Sequence, residues 1–564
     1  MNLNIVIGGE AGQGLKTLSN ILSKTFFKMG FKIYSSKDYM SRVRGGHNFM
    51  SIRVGTEELT GPTTDEDILL ALNEETIERH QDNVTDDGVI VYDGETDVDA
   101  DVVTVDAGDI AKEIGNSKVA NTVFVGALLK LLDLDLDVTK KVLKDYFADK
   151  GEEIAKVNAE ALEQGYEAVN NQFSLPEVEK EEEEMLISGN QAVGLGAVMA
   201  GVKFYSAYPM TPSTGIMNYI ASKENELGIV VEQAEDEIAA INMAIGASYS
   251  GVRAMTGTSG GGFSLMNEGL GLAGITETPL VIAEVQRPGP ATGLPTRTGQ
   301  GDLSFVINAS QGEFPLMVMA PRTAEDAFYQ TMRAFNLAEN YQIPVIILSD
   351  TFLADSKKNI SELDIEQVEI ESGFMSDEEA AEVEDYKRYE LTEDGISPLA
   401  YPGQLEDDVV LVDSDEHDEY GHIIEDAETR NKMVEKRDAK LQKLASEEIT
   451  EPEYCGPEEA DYVLVSWGST YGPALEAQEL LQEDGAEVGL LSFNDLWPLP
   501  TQKIEELAED DTELIVVENN YTAQFAKLLR AETGINAEHN ILKYDGRPFT
   551  GAEIYNRIQA EVIK

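Results

Sequence analysis

Apolar positions along the chain follow two rhythms, short unbroken runs and three-to-four spacing, and the two alternate. Asn4-Ile5-Val6-Ile7 is a run that reads as a strand, and Leu15, Leu18, Ile21 and Leu22 then share one face of a helix. Runs over Lys32–Tyr34, Met50–Val54, Asp67–Ala71, Gly88–Tyr92 and Val102–Asp106 predict further strands. A second series opens at Met185-Leu186-Ile187-Ser188 and includes Leu280–Glu284 and Pro344–Leu348. A third opens at Tyr462-Val463-Leu464-Val465 and continues through Val488–Ser492 and Glu513–Glu518. Strands alternating with helices predict an α/β protein of several doubly wound domains around mainly parallel sheets. The charge run over 177–184 marks a linker, which divides the chain into 1–176, 185–354, a polar connecting segment over 355–455 with a helix from Ala427 to Ser446, and 456–564.

Charge changes the picture of the surface. Asp and Glu number 105 against 42 Lys and Arg, a formal net charge of −63. Such a surface repels nucleic acid and anionic lipid, so neither is expected as a partner. The hydrophobic fraction of 42% opposes a reading as a disordered acidic chain. Adaptation to a salty cytoplasm is the expected cause, because salt screens mutual repulsion among the carboxylates. No run of 18 apolar residues predicts a membrane span, and the N-terminus has no signal-like pattern, so a cytoplasmic location is expected. The single cysteine, Cys455, excludes an intrachain disulfide and an iron–sulfur cluster held by this chain's own thiolates. The five histidines form no metal-ligand pattern, and no metal site is expected.

Candidate chemistry lies in the loops after the predicted strands. Gly9-x-x-Gly12-x-Gly14 after the first strand suits either a tight turn or an anion at a helix N-terminus. Arg42 and Arg44, beside Gly45-Gly46, form a basic island in an acidic chain and suit an anion. Tyr208-Pro209-Met210-Thr211-Pro212-Ser213-Thr214 is a stiff turn that offers hydroxyls to a carboxylate or keto oxygen, or else a Pro-capped helix start. The cluster Glu232-Gln233-Ala234-Glu235-Asp236-Glu237 precedes a helix, where acids favour the dipole or, in one case, face a cleft. Thr256-Gly257-Thr258-Ser259-Gly260-Gly261-Gly262 leaves room for a flat ligand. The loop Gln286–Thr298 carries Arg287 and Arg297, either able to fork onto a carboxylate.

Taken in order, Tyr208-Pro209-Met210-Thr211-Pro212-Ser213, Glu232-x-x-Glu235-Asp236-Glu237 and Pro290-x-Thr292-Gly293-x-Pro295-Thr296-x-Thr298 resemble the α subunit of 2-oxoacid:ferredoxin oxidoreductases, the 2-oxoglutarate type above all. The N-terminal glycine loop with Arg42-x-Arg44-Gly45-Gly46 resembles the family's γ domain, fused ahead of α. The resemblance extends through Arg388-Tyr389, Glu416-His417-Asp418-Glu419, Trp497-Pro498-Leu499-Pro500 and Val517-Glu518-Asn519-Asn520. It implies a γ-like domain, a pyrimidine-type thiamine diphosphate domain and a transketolase C-terminal-like domain. It also implies that a partner β subunit supplies Mg2+, the diphosphate site and a [4Fe-4S] cluster, that ferredoxin takes the electrons and that coenzyme A is the co-substrate, in a heterodimer or heterotetramer.

By this resemblance Glu237, with Glu235 as alternative, is the catalytic glutamate on the pyrimidine of thiamine diphosphate. Tyr208 and Pro209 line the cofactor, and Thr211 with Arg297 or Arg287 binds the substrate. Gly12, Gly14, Arg42 and Arg44 contribute to coenzyme A, and Glu416–Glu419 folds near the site entrance. Pyruvate or a branched 2-oxoacid is the alternative substrate. A ferredoxin-independent transketolase-like subunit and a non-catalytic nucleotide-binding scaffold are the alternative functions.

Overall fold

A computed structural model describes residues 2–41, 45–178, 183–406, 408–508 and 512–563. Contacts divide the chain into two compact units, Met1–Ile187 with Ser356–Glu362, and Ser188–Asp355 with Leu363–Lys564.

The first unit is built on an eight-stranded sheet in the order Asp101–Thr104, Val84–Tyr92, Glu66–Ala71, Asn2–Glu10, His47–Gly55, Lys32–Asp38, Lys357–Ser361 and Glu184–Ser188. All six predicted strands of this region are present. The sheet is mixed, however: Asn2–Glu10 runs parallel to Glu66–Ala71 but antiparallel to His47–Gly55, which is antiparallel in turn to Lys32–Asp38. The cause is the connection. Among the described residues no helix lies between Lys32–Asp38 and His47–Gly55, and without a crossover consecutive strands pair antiparallel. Within the acidic stretch 177–184, residues 179–182 lie outside the described residues, while Glu184 starts an edge strand and bonds Lys32 and Asn359.

The second unit contains a seven-stranded sheet ordered Asp495–Trp497, Met317–Met319, Pro344–Asp350, Leu280–Gln286, Ala254–Thr258, Phe204–Ala207 and Val230–Gln233. All but Asp495–Trp497 run parallel. A five-stranded sheet follows, Glu453–Cys455, Val488–Phe493, Tyr462–Trp467, Glu513–Glu518 and His539–Leu542, parallel except for the first strand. The sequence pattern separates 185–354 from 456–564; in the structure one hydrophobic core joins them, running from Ile241 and Phe263 through Val318 and Ile346 to Trp467, Phe493 and Phe525. Gln300 ties the two sheets by hydrogen bonds to the Trp467 carbonyl and from the Asn519 amide. Among the described residues no helix is long and apolar enough to cross a membrane.

Parallel strands buried on both faces leave only their ends for chemistry. The strands of the seven-stranded sheet share a carboxyl edge, and the loops leaving it carry Tyr208–Ser213, Glu237, Ser259–Gly262, Arg287 and Asp350. Ligands in open parallel sheets bind at this edge.

Candidate active site

Glu237 is the first residue of the helix Glu237–Tyr249, whose N-cap Asp236 accepts a hydrogen bond from the Ala239 amide at 2.8 Å. Asp236 therefore does the capping, which frees Glu237 from that role. The Glu237 side chain is 4% exposed, and its Oε1 has no hydrogen-bond partner among the described residues. A buried polar atom left without a partner calls for an explanation, and a missing ligand is one. Glu235, the alternative, is exposed.

The next loop packs directly against this carboxyl. Gly262, in the first turn of the helix Gly260–Ile275, lies against Thr258 Oγ1 and Glu237 Oε1, and a methyl group at 262 would collide with both. Thr258 in turn reaches Met210 Sδ at 3.9 Å. Met210 belongs to the stiff turn after Phe204–Ala207, and its carbonyl accepts from Ser213 Oγ at 2.9 Å and Thr214 Oγ1 at 3.1 Å. Those two hydroxyls, expected to face a ligand, are consumed in holding the turn, and Ser213 makes no side-chain cap. Thr211 is half-buried, and its carbonyl accepts from Arg287 Nη1 at 2.7 Å. Tyr208 is 40% exposed and Pro209 half-buried at the same edge.

The two arginines of the Gln286–Thr298 loop part company. Arg287 leaves the strand Leu280–Gln286 directly, touches the Thr211 turn and keeps Nε buried with no partner among the described residues. Burial lowers its pKa, while Asp302 and Glu284 act to raise it. The stem of Arg297 instead faces Gly546 in the C-terminal part of the unit. Thus Glu237, Thr258, Gly262, Met210, Thr211 and Arg287 form a continuous set of neighbours, whereas the stem of Arg297 packs on Gly546.

The segment Glu416–Glu419, expected near the entrance, has a different place. Glu416 pairs with Arg437 and Arg430, and His417 stacks on Tyr389 at 3.9 Å. Tyr389 and Arg388 reach the carbonyls of Thr276 and Glu277. Those residues precede the strand Leu280–Gln286, so the anchor is at its amino end and Arg287 is at its carboxyl end.

In the first unit, Gly12 (φ 102°) and Gly14 (φ 84°) both adopt left-handed backbone, and Gly14 caps the helix Leu15–Lys28. Arg42 and Arg44 lie outside the described residues. Sequence reading missed a buried chain near this loop, in which His80 bonds Glu66 at 2.6 Å and His47 at 2.8 Å. Burial and His80 lower the His47 pKa to about 4, so this ring is neutral. Sequence reading also missed three carboxyls of the second unit, Glu284, Asp302 and Asp350. For Glu284 a signal existed, an acid in the middle of Leu-Val-Ile-Ala-Glu-Val-Gln.

Comparison with known proteins bears on the family. Residues 195–436 match the family model described as pyruvate flavodoxin/ferredoxin oxidoreductase, thiamine diP-bdg, residues 4–168 match pyruvate ferredoxin/flavodoxin oxidoreductase, and residues 460–550 match pyruvate:ferredoxin oxidoreductase core domain II. The chain is 35% identical to a 2-oxoacid:ferredoxin oxidoreductase subunit alpha from Sulfolobus, covering 100% of this chain and 97% of that relative. It is 34% identical to the 2-oxoglutarate synthase subunit KorA of Methanothermobacter thermautotrophicus, over 67% of this chain and 98% of the relative. The solved structure of a 2-oxoglutarate:ferredoxin oxidoreductase from Magnetococcus marinus, with 2-oxoglutarate, coenzyme A and succinyl-CoA bound, superposes with a TM-score of 0.92 at 34% identity, covering 99% of each chain. An unpaired buried glutamate at the carboxyl edge of a parallel sheet, three matched family regions and a full-length relative lead to one conclusion: the chain belongs to the 2-oxoacid:ferredoxin oxidoreductase α-subunit family.

Proposed function

We propose that this chain is the γα-fused subunit of a 2-oxoglutarate:ferredoxin oxidoreductase, which converts 2-oxoglutarate and coenzyme A to succinyl-CoA and passes the electrons to ferredoxin. The observation that carries the reading is the buried Glu237 Oε1, which has no partner among the described residues and packs against Gly262, where any side chain would collide with it. That carboxyl fits thiamine diphosphate, whose pyrimidine ring offers a nitrogen to pair with it, and Gly262 lets the carboxyl keep its place. When bound, thiamine diphosphate supplies the electron sink that decarboxylation of a 2-oxoacid requires.

The chain's own residues then have distinct tasks. Glu237 Oε1 holds the proton at the pyrimidine nitrogen and so steers proton transfer within the site. Arg287, already anchored on the Thr211 carbonyl, presents its remaining N–H groups to the substrate carboxylate, and the Thr211 hydroxyl donates to the keto or carboxylate oxygen. Arg297 is the weaker candidate because its stem is turned toward Gly546. Tyr208 and Pro209 line the cofactor side of the turn. In the first unit the left-handed glycine turn of Gly12 and Gly14, with Arg42 and Arg44, is assigned to coenzyme A.

The remaining chemistry belongs to a partner. Electrons leaving one at a time need a cluster, and one cysteine cannot hold it, so a β subunit carries the [4Fe-4S] cluster together with Mg2+. Its seat is suggested by exposed apolar side chains on the two helices that begin at the site, Ile238 at 50%, Met243 at 42% and Leu265 at 51% exposure. The test is viologen reduction by a panel of 2-oxoacids with coenzyme A, using the reconstituted complex and the chain alone. The complex should prefer 2-oxoglutarate and the chain alone should be inactive. Equal turnover of pyruvate would refute the substrate, and activity without the partner would refute the division of labour.

A further inference from the structure

Beneath the Arg287 loop is a group of carboxyls that the chemistry above leaves unused. The strand Leu280–Gln286 is buried at every position, and Glu284 near its centre is 0% exposed. No N–H or hydroxyl of a described residue donates to either Glu284 oxygen. Asp302 comes alongside from the far end of the loop. Its amide donates to Gln286 Oε1 at 3.0 Å, and its carboxyl lies beside Glu284 with Oδ2 buried and no donor to it among the described residues. A methyl group at Gly260 would collide with the Asp302 carboxyl, so the start of the helix Gly260–Ile275 also abuts this acid.

The charged groups facing Glu284 are Asp302, Asp350 and Arg287. Asp350 is well satisfied, accepting from Thr298 Oγ1 and from the amides of Phe352 and Leu353. Glu284 and Asp302 have no such supply of donors. Two ionised carboxylates in contact away from water repel strongly, whereas one retained proton turns the contact into a charge-assisted hydrogen bond. Burial, then Asp302 and Asp350, push the Glu284 pKa well above the carboxylate range. Burial raises Asp302 to about 6, with Arg287 and then Glu284 holding it down. The pair therefore holds one proton more tightly than either acid would alone, and the charge it keeps acts on Arg287.

We propose that Glu284 and Asp302 share one proton and act as a positioning pair for Arg287. Singly protonated, the pair steadies the guanidinium through Asp302 and leaves its outer N–H groups to the substrate. With the proton lost, a second negative charge draws Arg287 inward and 2-oxoacid binding weakens. The inference rests on the reading of Arg287 as the ligand of the substrate carboxylate.

The reconstituted complex tests the functional half. In the wild type, KM for the 2-oxoacid should rise at alkaline pH by about tenfold per unit beyond the second ionisation, while kcat stays level. Glu284→Gln keeps a neutral donor, so its KM should be flat with pH, whereas Glu284→Ala should raise KM about tenfold at neutral pH by leaving Asp302 without its donor. Should Glu284→Gln not fold, Asp302→Asn replaces it, with a raised KM and no alkaline limb expected. Infrared spectroscopy of the chain alone tests the chemical half without any cofactor: a carboxylic acid C=O stretch at neutral pH should vanish in Glu284→Gln. Absence of that band in the wild type, or an unchanged alkaline limb in Glu284→Gln, overturns the proposal. Arg287→Lys separates the two levels, because an unchanged KM with the infrared band intact overturns the positioning role through the Arg287 reading and not through the shared proton.

Discussion

A buried carboxyl oxygen with no donor, such as Glu237 Oε1, opposes folding by about 1–3 kcal/mol, and the helix Glu237–Tyr249 does not need it as a cap. Selection for stability alone would remove it. Glu237→Gln should therefore raise the thermal midpoint of the isolated chain while lowering viologen reduction by the complex about 100-fold or more, since the amide cannot accept and return a proton. A variant that lost both stability and activity would make Glu237 a structural residue. Gly262→Ala asks the complementary question. Its methyl group would collide with Thr258 and Glu237, so activity should fall without any gain in midpoint. The sequence revealed Glu237 through its cluster, because acids before a helix are a visible pattern. It hid the spent hydroxyls of Ser213 and Thr214, whose acceptor is the carbonyl of Met210, a group no side-chain pattern records.

The helix Ala427–Glu447 illustrates the same limit one level up. Its presence and extent follow from spacing, and Asp426 caps it by accepting from Thr429. Spacing says nothing of Lys436 and Lys440, which are both buried on Glu277, a partner 159 and 163 residues away. Burial alone would raise the Glu277 pKa, but Lys436, Lys440 and Arg388 drive it well below the usual range. Burial lowers Lys440 to about 7, with Glu277 opposing. Glu277→Gln strands these cations without a counter-charge and should cost about 3–5 kcal/mol in urea unfolding, while Lys440→Met should cost under about 1 kcal/mol or stabilise. The pH signs follow from linkage. The ionised Glu277 contributes above its unfolded pKa near 4.5, and that contribution fades as pH falls below it. Lys440 binds fewer protons folded than unfolded between about 7 and 10.5, so its part of stability rises with pH across that window. The urea midpoint of the wild type should rise relative to that of Lys440→Met between pH 7 and 10 on this account, and parallel curves would contradict it. The return of Lys357–Ser361 to the first unit's sheet escaped sequence reading for a related reason: a five-residue edge strand carries too few apolar positions to stand out from a polar segment.

At the scale of the whole chain, 105 acids face 42 Lys and Arg, so at least 63 carboxylates have no basic side chain to pair with. Several bases are already committed inside, Arg253 on Glu339, Arg333 on Asp495 and Lys436 on Glu277, which leaves fewer still for the surface. Salt acts on this surface in two opposed ways. It weakens the exposed ion pairs, each worth well under about 1 kcal/mol, and it screens repulsion among the unpaired acids. Repulsion involves many more groups, so its relief should dominate. The Debye length shrinks from about 10 Å at 0.1 M to about 3 Å at 1 M, below the spacing of most surface charges. Buried pairs such as Lys436 with Glu277 are shielded from the solvent and should change little. We therefore expect the thermal midpoint to climb by about 10 °C or more between 0.1 and 2 M KCl, with most of the rise complete near 1 M, and to climb far less in sucrose of matched osmolality. A midpoint that is flat or falls in KCl would mean that the acids are not in mutual repulsion, and that the charge excess answers to something other than salt.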